Sequence, residues 1–366
     1  MHSELNEVHR QLAEQGYPFG LAKAMIRETP KQTIRFWVID NSYSMSERDG
    51  KKICEQSSKD KLKLVTCSRW EELQETVVYH ARLAAALNAL TYFELLNKPT
   101  LLDQKFSIGE KDRSVGEDLA KAISIIQNSK PCGLTPLAQR LSEVYKKIIE
   151  IMSKAREYYQ RVHIIIATDG LPTTIDGYMG ERANDELMHI LRLLASLGYV
   201  DIVIRLCTDD EKVVRFYNDI DSNLELSIDV LDDFVGEAIE VHSHNPWITY
   251  GLPLHRCREF GFHDKILDLI DERPLRLFET RYFIELLFGS LNLPDPDTQW
   301  GQFAKLVMRL QSNEYRQFDS VRKRSKEWID VYELGKVHDK LFLSPSKIAK
   351  MLVLMFIFYA AIRLNT

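Results

Sequence analysis

Residues 34–44 read IRFWVIDNSYS, an apolar run that ends in short side chains carrying oxygen atoms. The apolar part, up to Ile39, predicts a buried β-strand, and the residues after it predict a loop. Alternate side chains of an extended segment point to the same side. The oxygen-bearing side chains that this alternation brings together are Asp40, Ser42 and Ser44. The stretch therefore predicts half of a site for a small, hard divalent cation at the end of a strand.

The other half of the predicted site lies in two later segments. One is CGLTPL at residues 132–137, where Thr135 stands in a glycine-bearing loop before a helix. The other is IIIATDGLPT at residues 164–173, where a buried strand ends at Asp169. Ligands of doubly wound sheets bind outside the carboxyl ends of the strands, where the winding reverses. We therefore expect Thr135 and Asp169 to meet the first three residues around one cation.

Between residues 32 and 250, predicted strands alternate with predicted helices. This alternation favours an α/β fold with a doubly wound, mostly parallel sheet flanked by helices. The predicted strands are Ile34–Ile39, Val162–Ala167, Val200–Cys207 and Leu226–Val230, with an antiparallel hairpin at Thr100–Leu102 and Phe106–Ile108. The predicted helices are Trp70–Leu96 behind a capping box of Ser68 and Glu71, one from Pro136 toward Tyr159, and Arg182–Leu197.

The predicted domain organisation has four parts. Residues 1–31 form an N-terminal helical arm, and residues 32–250 form the α/β domain. Residues 251–340 form a small helical appendage, because strand signals are absent there and turns rich in Pro and Asp separate helical stretches. The helices predicted in the appendage are His255–Ile270, Thr280–Phe288 and Trp300–Leu310. Residues 341–366 form an apolar C-terminal tail.

The tail contains an unbroken apolar run at residues 351–362, MLVLMFIFYAAI. A bilayer core needs about 20 such residues, so this run is too short to span it unaided. The favoured interpretation is a buried C-terminal helix, and a membrane-associated tail is the alternative.

Composition and cysteine use favour a cytoplasmic, intracellular protein. The five cysteines are scattered without a C-x-x-C pair, and the N-terminus lacks the apolar core of a signal peptide, which favours free thiols in a reducing compartment. The net charge of −5 argues against nucleic-acid binding, which favours a strongly basic face. The sequence leaves the oligomeric state open.

The five residues of the predicted site resemble, in this order, the metal-ion-dependent adhesion site (MIDAS) of von Willebrand factor type A (VWA) domains. The surrounding GLTPL and ATDGLPT segments fit the same family, and the resemblance covers residues 32–235. It implies that Ser42, Ser44 and Thr135 ligate Mg²⁺ directly, with Mn²⁺ or Ca²⁺ as alternatives. It also implies that Asp40 and Asp169 act largely through bound waters.

The chemistry of such a site suits recognition of a partner. Neutral hydroxyl ligands leave the charge of Mg²⁺ poorly compensated, so the ion accepts a carboxylate from an Asp or Glu of another protein. One position departs from the family, because Tyr43 stands where many members have glycine. A tyrosine would be strained there if the backbone needed a positive φ.

These observations favour a non-enzymatic scaffold or adaptor that recruits an acidic protein partner through Mg²⁺. One alternative is a Mg²⁺-dependent phosphohydrolase of the haloacid dehalogenase type, which also begins with a strand that ends in Asp. That class needs a second Asp two positions further on as its general acid and base, and this chain has Ser42 there. The other alternative is an adaptor tethered to a membrane by the apolar tail.

Two weaker patterns are interpreted as surface or packing features. Histidines and a cysteine at residues 242, 244, 255, 257 and 263 could suggest zinc, but no cysteine-pair spacing supports it. The basic run at residues 322–326 is interpreted as a solvated face.

Overall fold

The computed structural model describes residues 2–28, 33–56, 61–155, 159, 161–223, 228–290 and 292–342. The strands in these residues are β1 Thr33–Ile39, β2 Gly50–Gln56, β3 Lys61–Cys67, β4 Thr91–Leu95, β5 Lys105–Ile108, β6 Arg161–Thr168, β7 Val200–Leu206, β8 Ile228–Leu231, β9 Gln317–Asp319 and β10 Arg324–Lys326. The helices are α1 His2–Glu14, α2 Phe19–Glu28, α3 Arg69–Ala86, α4 Val115–Asn128, α5 Leu137–Ala155, α6 Glu181–Ala195, α7 Glu211–Asn223, α8 Phe234–His244, α9 Leu252–Glu259, α10 Lys265–Glu272, α11 Leu277–Phe288, α12 Trp300–Gln311 and α13 Val331–Phe342. A short 3₁₀ turn spans Tyr43–Ser46.

The central sheet has six strands in the order β5-β4-β1-β6-β7-β8. All neighbouring strands are parallel except β5, which pairs antiparallel with β4 at one edge. The chain leaves β1 towards β4 on one side and leaves β6 towards β7 on the other. The winding therefore reverses between β1 and β6, where a crevice opens at the carboxyl ends of both strands.

The predicted α/β architecture with a mostly parallel sheet is confirmed. The strands predicted at the centre correspond to β1, β6 and β7, and β8 begins at Ile228, with residues 226 and 227 outside the described part of the chain. The predicted edge strand is confirmed as β5, but the partner assigned to it is wrong. It pairs with β4 instead of residues 100–102, which form a turn.

That error has its origin in the helix predicted at Trp70–Leu96, which is too long. The Ser68–Glu71 capping box is confirmed, because the Ser68 hydroxyl accepts from the Glu71 N–H and the Glu71 carboxylate accepts from the Ser68 N–H. The helix nevertheless ends at Ala86, and Asn88 takes a positive φ of 47° just beyond it. The following segment, TYFEL, is rich in aromatic and β-branched residues and forms β4.

Both faces of the sheet are buried, as the continuous apolar character of β1 requires. Phe36 and Val38 lie in a core cluster with residues of α5, α6 and α7. Trp37 and Ile39 lie in a second cluster on the other face. Because successive side chains of a strand point to opposite faces, one strand contributes to both cores.

The second core joins the sheet to the N-terminal arm and to the C-terminal helices. It includes Leu21 of α2, Trp247, Phe283 of α11 and Trp328, all of them buried. Helices α1 and α2 lie in the segment predicted as the N-terminal arm, and helices α9 to α13 begin in the segment predicted as the appendage. The sheet and the appendage therefore share one continuous apolar core on this face.

Two details of the C-terminal half differ from the prediction. The helix expected at His255–Ile270 is two helices, α9 and α10, separated by a turn in which Gly261 has a φ of 81°. The expectation that strands are absent after residue 250 is wrong, because β9 and β10 form a hairpin. These strands have only three residues each, too few to produce an alternating apolar pattern. The basic run at residues 322–326 lies in the turn and in β10 of this hairpin.

The cysteines are free, as expected, and three of them, Cys67, Cys207 and Cys257, are buried. In the part of the chain that the structure describes, no helix combines the length and the apolar composition needed to cross a bilayer. The apolar run at residues 351–362 lies outside the described residues, so its predicted helix stays a prediction.

Candidate metal centre

Three loops meet at the crevice between the carboxyl ends of β1 and β6. The N–H of Asp40 donates to the carbonyl of Ala167 at 2.9 Å, which joins the end of β1 to the end of β6. The loop before α5 is tied to the same place, because the N–H of Cys132 donates to the Asn41 carbonyl at 2.6 Å. The N–H of Tyr43 donates to the Gly133 carbonyl at 3.2 Å. Backbone hydrogen bonds therefore hold the loops together without using the side chains of the predicted site.

The predicted side chains form a connected cluster of oxygen atoms. The Ser42 and Ser44 hydroxyl oxygens are 3.0 Å apart, and Ser44 Oγ donates to Asp169 Oδ1 at 2.8 Å. Asp40 accepts on both oxygens, from the Ser42 N–H at 2.8 Å and from the Thr168 hydroxyl at 2.6 Å. Asp40 and Asp169 are 129 positions apart in sequence and are thus linked through Ser42 and Ser44.

Thr135 lies beside this cluster. The Thr173 N–H donates to its carbonyl at 2.9 Å, which places the Thr135 loop against the chain that follows Asp169. Thr135 Oγ1 is 3.9 Å from the position that a Cβ on Gly170 would occupy. The structure therefore brings all five predicted residues to one place. Four of them are buried, and Ser44 is exposed, so the cluster opens to solvent on the Ser44 side.

The electrostatics of the cluster fit a cation. Burial, together with the negative charge of Asp169, raises the pKa of Asp40 to about 6, although hydrogen bonds from Thr168 and Ser42 oppose the shift. A nearby positive charge relieves such a conflict between desolvated carboxylates. The donor set consists of carboxylate and hydroxyl oxygens, which hard cations such as Mg²⁺ and Ca²⁺ prefer. The residues present therefore fit a divalent metal ion.

Asn97 and Gly133 position the loops of the candidate metal centre, and sequence reasoning missed both residues. Asn41 Nδ2 donates to the Asn97 carbonyl at 3.0 Å, and the Asn97 N–H donates back to Asn41 Oδ1 at 2.8 Å. Asn97 Nδ2 donates to the Leu134 carbonyl at 2.7 Å. Gly133 has a φ of 75°, and a Cβ there would lie 2.4 Å from Asn97 Oδ1. Only glycine lets the loop before Thr135 lie this close to Asn97.

Arg69 is a second residue that sequence reasoning missed. Its Nη1 donates to Asp169 Oδ2 at 2.9 Å, and its Nε and Nη2 donate to Asp49 at 2.7 and 2.5 Å. Its hydrogen bonds to Asp49 raise the pKa of the guanidinium above its ordinary value. In sequence Arg69 is simply the first residue of a helix after a capping serine, so nothing there connects it with the end of β6.

Exposed apolar side chains lie on the loops that form or border the centre. Tyr43 is 68% exposed, Leu134 46%, Tyr178 69% and Met179 66%. Together with Ile175, which is 65% exposed, we call these residues the apolar rim. Tyr43 lies in the 3₁₀ turn and is not among the described residues with positive φ, so the strain considered for a tyrosine at this position does not arise.

The histidines at residues 242–263 do not form one cluster. His255 is buried, with its Nε2 3.3 Å from Glu259, which confirms a packing role. His263 instead lies near His163 of β6 and Asp201 of β7, neither of which the sequence singled out.

No protein-family model matches this chain, and no curated protein matches it either. Fold and site together define an α/β protein with a Rossmann-like, mostly parallel sheet and a cluster of oxygen ligands at the crevice between β1 and β6.

Proposed function

We propose that this chain is a VWA-type binding module, a non-enzymatic scaffold or adaptor that recruits a protein partner through a MIDAS-like Mg²⁺ site. The observation that carries the proposal is the convergence of Asp40, Ser42, Ser44, Thr135 and Asp169, from three separate segments, at the crevice between β1 and β6. Each segment alone is an ordinary loop or helix start. Their meeting at the carboxyl ends of the strands, where ligands of this fold class bind, supports a shared ligand.

The residues divide into two roles in this proposal. Ser42, Ser44 and Thr135 would hold the ion, and the carboxylates of Asp40 and Asp169 would orient these hydroxyls and bound water. A bound Mg²⁺ supplies a positive charge with room for a further oxygen ligand. Ser44 is the exposed member of the set, so a ligand from another protein would approach from its side.

The apolar rim supports protein as the partner class. Exposed apolar side chains next to a charged centre are typical of a protein-binding site. Gly177 lies against Leu134, since a Cβ there would be 3.0 Å from Leu134 Cδ1, so the loop carrying Ile175, Tyr178 and Met179 borders the loop carrying Thr135. The partner that fits is a segment with an acidic residue between apolar side chains.

Calorimetric titration with Mg²⁺ and Mn²⁺ tests the metal site. We expect one ion per chain for the wild type and at least about a tenfold loss of affinity for Ser44→Ala and Thr135→Val, because each removes a hydroxyl ligand. Ser46→Ala, an exposed serine in the same turn, is the matched control and should bind as the wild type does. Absence of binding by the wild type, or equal affinity in all variants, refutes the site.

Selection from a displayed library of random peptides tests the partner class. In Mg²⁺ we expect enrichment of peptides that contain Asp or Glu, with their release by a chelator. Tyr178→Ser and Met179→Ser should weaken these peptides without changing Mg²⁺ affinity, since both residues belong to the rim. Enrichment that persists in chelator would argue against metal-mediated recognition.

Two measurements address the alternatives. Metal-dependent hydrolysis of an aryl phosphate that is lost in Asp40→Asn would favour the phosphohydrolase over the binding module. For the membrane-tethered adaptor, deletion of residues 347–366 should reduce sedimentation with vesicles, and unchanged sedimentation would eliminate the tether.

A further inference from the structure

A second group of potential metal ligands lies at the amino ends of the central strands, opposite the candidate metal centre. His163 is near the amino end of β6, and its register partner on β7 is Asp201. His263 follows the turn after α9 and comes from the helical appendage. The ligand atoms of these three residues all lie within 4.8 Å of one another. The amino ends of parallel strands lie at the same end of the sheet. This group is therefore separated from the candidate metal centre, at the carboxyl ends, by the length of the strands.

The spacing of these atoms is close to that of a tetrahedral metal site. His163 Nδ1 is 3.5 Å from Asp201 Oδ2. Bonds of about 2.0–2.1 Å in tetrahedral geometry place neighbouring ligand atoms roughly 3.4 Å apart. The buried pair therefore already has the required separation. His263 is exposed, so its ring has room to move towards the pair and complete the set.

The environment of His163 is independent evidence for a ligand at this position. Its Nδ1 is buried and has no hydrogen-bond partner, although buried polar atoms are almost always paired. The unpartnered nitrogen lies next to Asp201 Oδ2, within the group of ligand atoms that includes His263.

Backbone geometry fits the loop of His263 closely onto His163. Gly261 has a φ of 81°, and a Cβ there would lie 2.9 Å from His163 Cγ. Arg35 Nε donates to the Phe260 carbonyl at 3.0 Å, which fastens the same turn to β1. The turn after α9 thus rests directly on the imidazole of His163.

We propose that His163, Asp201 and His263 form a binding site for Zn²⁺ that fastens the helical appendage to the amino ends of β6 and β7. Two imidazoles and one carboxylate are ligands that favour Zn²⁺ over Mg²⁺. Arg161 Nη1 already donates to both oxygens of Asp201, at 2.9 and 2.8 Å. Each carboxylate oxygen has two lone pairs, so Asp201 can accept from Arg161 and ligate a metal at once. Water completes the coordination.

Metal titration of the full chain tests this site. The protein is first treated with chelator and then placed in millimolar Mg²⁺, which occupies the candidate metal centre. Under these conditions Zn²⁺ should bind at one equivalent and raise the midpoint of thermal unfolding. His263→Asn should lose at least about tenfold in Zn²⁺ affinity and most of the thermal shift. Its side chain is exposed, so the fold should persist. His189→Asn, which changes an exposed histidine of α6 outside the cluster, is the matched control.

Co²⁺ provides a readout of the ligands themselves. Intense visible absorption is expected from a four-coordinate site, and it should be lost in His263→Asn and in Asp201→Asn. Equal Zn²⁺ binding by wild type and His263→Asn, or no binding by the wild type, overturns the proposal. A near-ultraviolet thiolate band would also overturn it, because it would place the ion on cysteine.

Discussion

Arg69 Nη1 donates to Asp169 Oδ2 at 2.9 Å, on the carboxylate whose other oxygen accepts from Ser44. A permanent positive charge thus lies against the cluster proposed to bind Mg²⁺. Asp49 compensates part of this charge through its two hydrogen bonds to Arg69. Arg69 therefore both holds Asp169 in place and repels an incoming cation.

Removal of Arg69 should tighten metal binding. Two unit charges about 4 Å apart repel by about 1 kcal/mol even in bulk water and more strongly near a protein surface, so Arg69→Ala should raise Mg²⁺ affinity at least about fivefold in calorimetry. Arg48→Ala, an exposed arginine in the neighbouring loop, removes the same formal charge and should change the affinity much less. Weaker binding by Arg69→Ala would show that positioning of Asp169 matters more than repulsion.

Gly133→Ala should destabilise the protein and disorder the metal centre. The new Cβ would combine a positive φ of 75° with a contact of 2.4 Å to Asn97 Oδ1. We expect a loss of about 2 kcal/mol in the free energy of unfolding, measured in urea, together with weaker Mg²⁺ binding. Gly116→Ala is the matched control, because Gly116 lies in the first turn of α4, where a Cβ would meet only Ser114 Oγ at 4.0 Å, so the free energy of unfolding should stay the same or rise slightly.

Glu259 links α9 to the sheet and to α3 through a buried network. Its carboxylate lies 2.9 Å from His80 Nε2, 2.6 Å from Arg256 Nη1 and 3.3 Å from Arg205 Nε. Glu259→Gln keeps the shape but leaves buried cations less compensated, so the free energy of unfolding should fall by about 3–5 kcal/mol.

An exposed glutamate gives the comparison for Glu259. Glu186 forms a surface pair with Arg182 at 3.0 Å, and its side chain is 42% exposed. Glu186→Gln should cost less than about 1 kcal/mol in the same urea titration. Similar losses in both variants would mean that the buried network contributes no more than a surface pair does.

His80 should make stability depend on pH between about 6.5 and about 4. Burial lowers the pKa of His80 to about 4, because the charged ring would lose its hydration, although Glu259 opposes the shift. Above pH 6.5 the ring is neutral in both the folded and the unfolded chain. As the pH falls through this window the unfolded chain binds the proton first, so stability is lost.

The expected slope is up to about 1.4 kcal/mol per pH unit from this one group. Urea titrations between pH 4 and pH 7 measure it. His80→Gln should lower the number of protons taken up on unfolding by one and so reduce the slope of stability against pH. His189→Gln should leave this slope as in the wild type. An unchanged slope in His80→Gln would show that other groups carry the acid sensitivity.

Sequence reasoning succeeded where a single segment carries the information. The continuous apolar runs of β1, β6 and β7 predict buried strands because both faces of a central parallel strand need apolar side chains. The Ser68–Glu71 capping box predicts a helix start because its hydrogen bonds are local. The hairpin of β2 and β3 was missed, since its strands, GKKICEQ and KLKLVTC, carry charged residues within a weak alternation.

The sequence by itself determined the α/β class, the segments that form the central strands and the five residues that the structure brings together. Their hydroxyl and carboxylate chemistry, and their positions after apolar strands, are properties of short segments. Only the tertiary structure decided what surrounds them. Arg69 contacts Asp169 across 100 positions and Asn97 contacts Leu134 across 37. The group of His163, Asp201 and His263 spans 100 positions, and no local periodicity links any of these partners. Chain topology alone brings such groups within a few ångströms of each other.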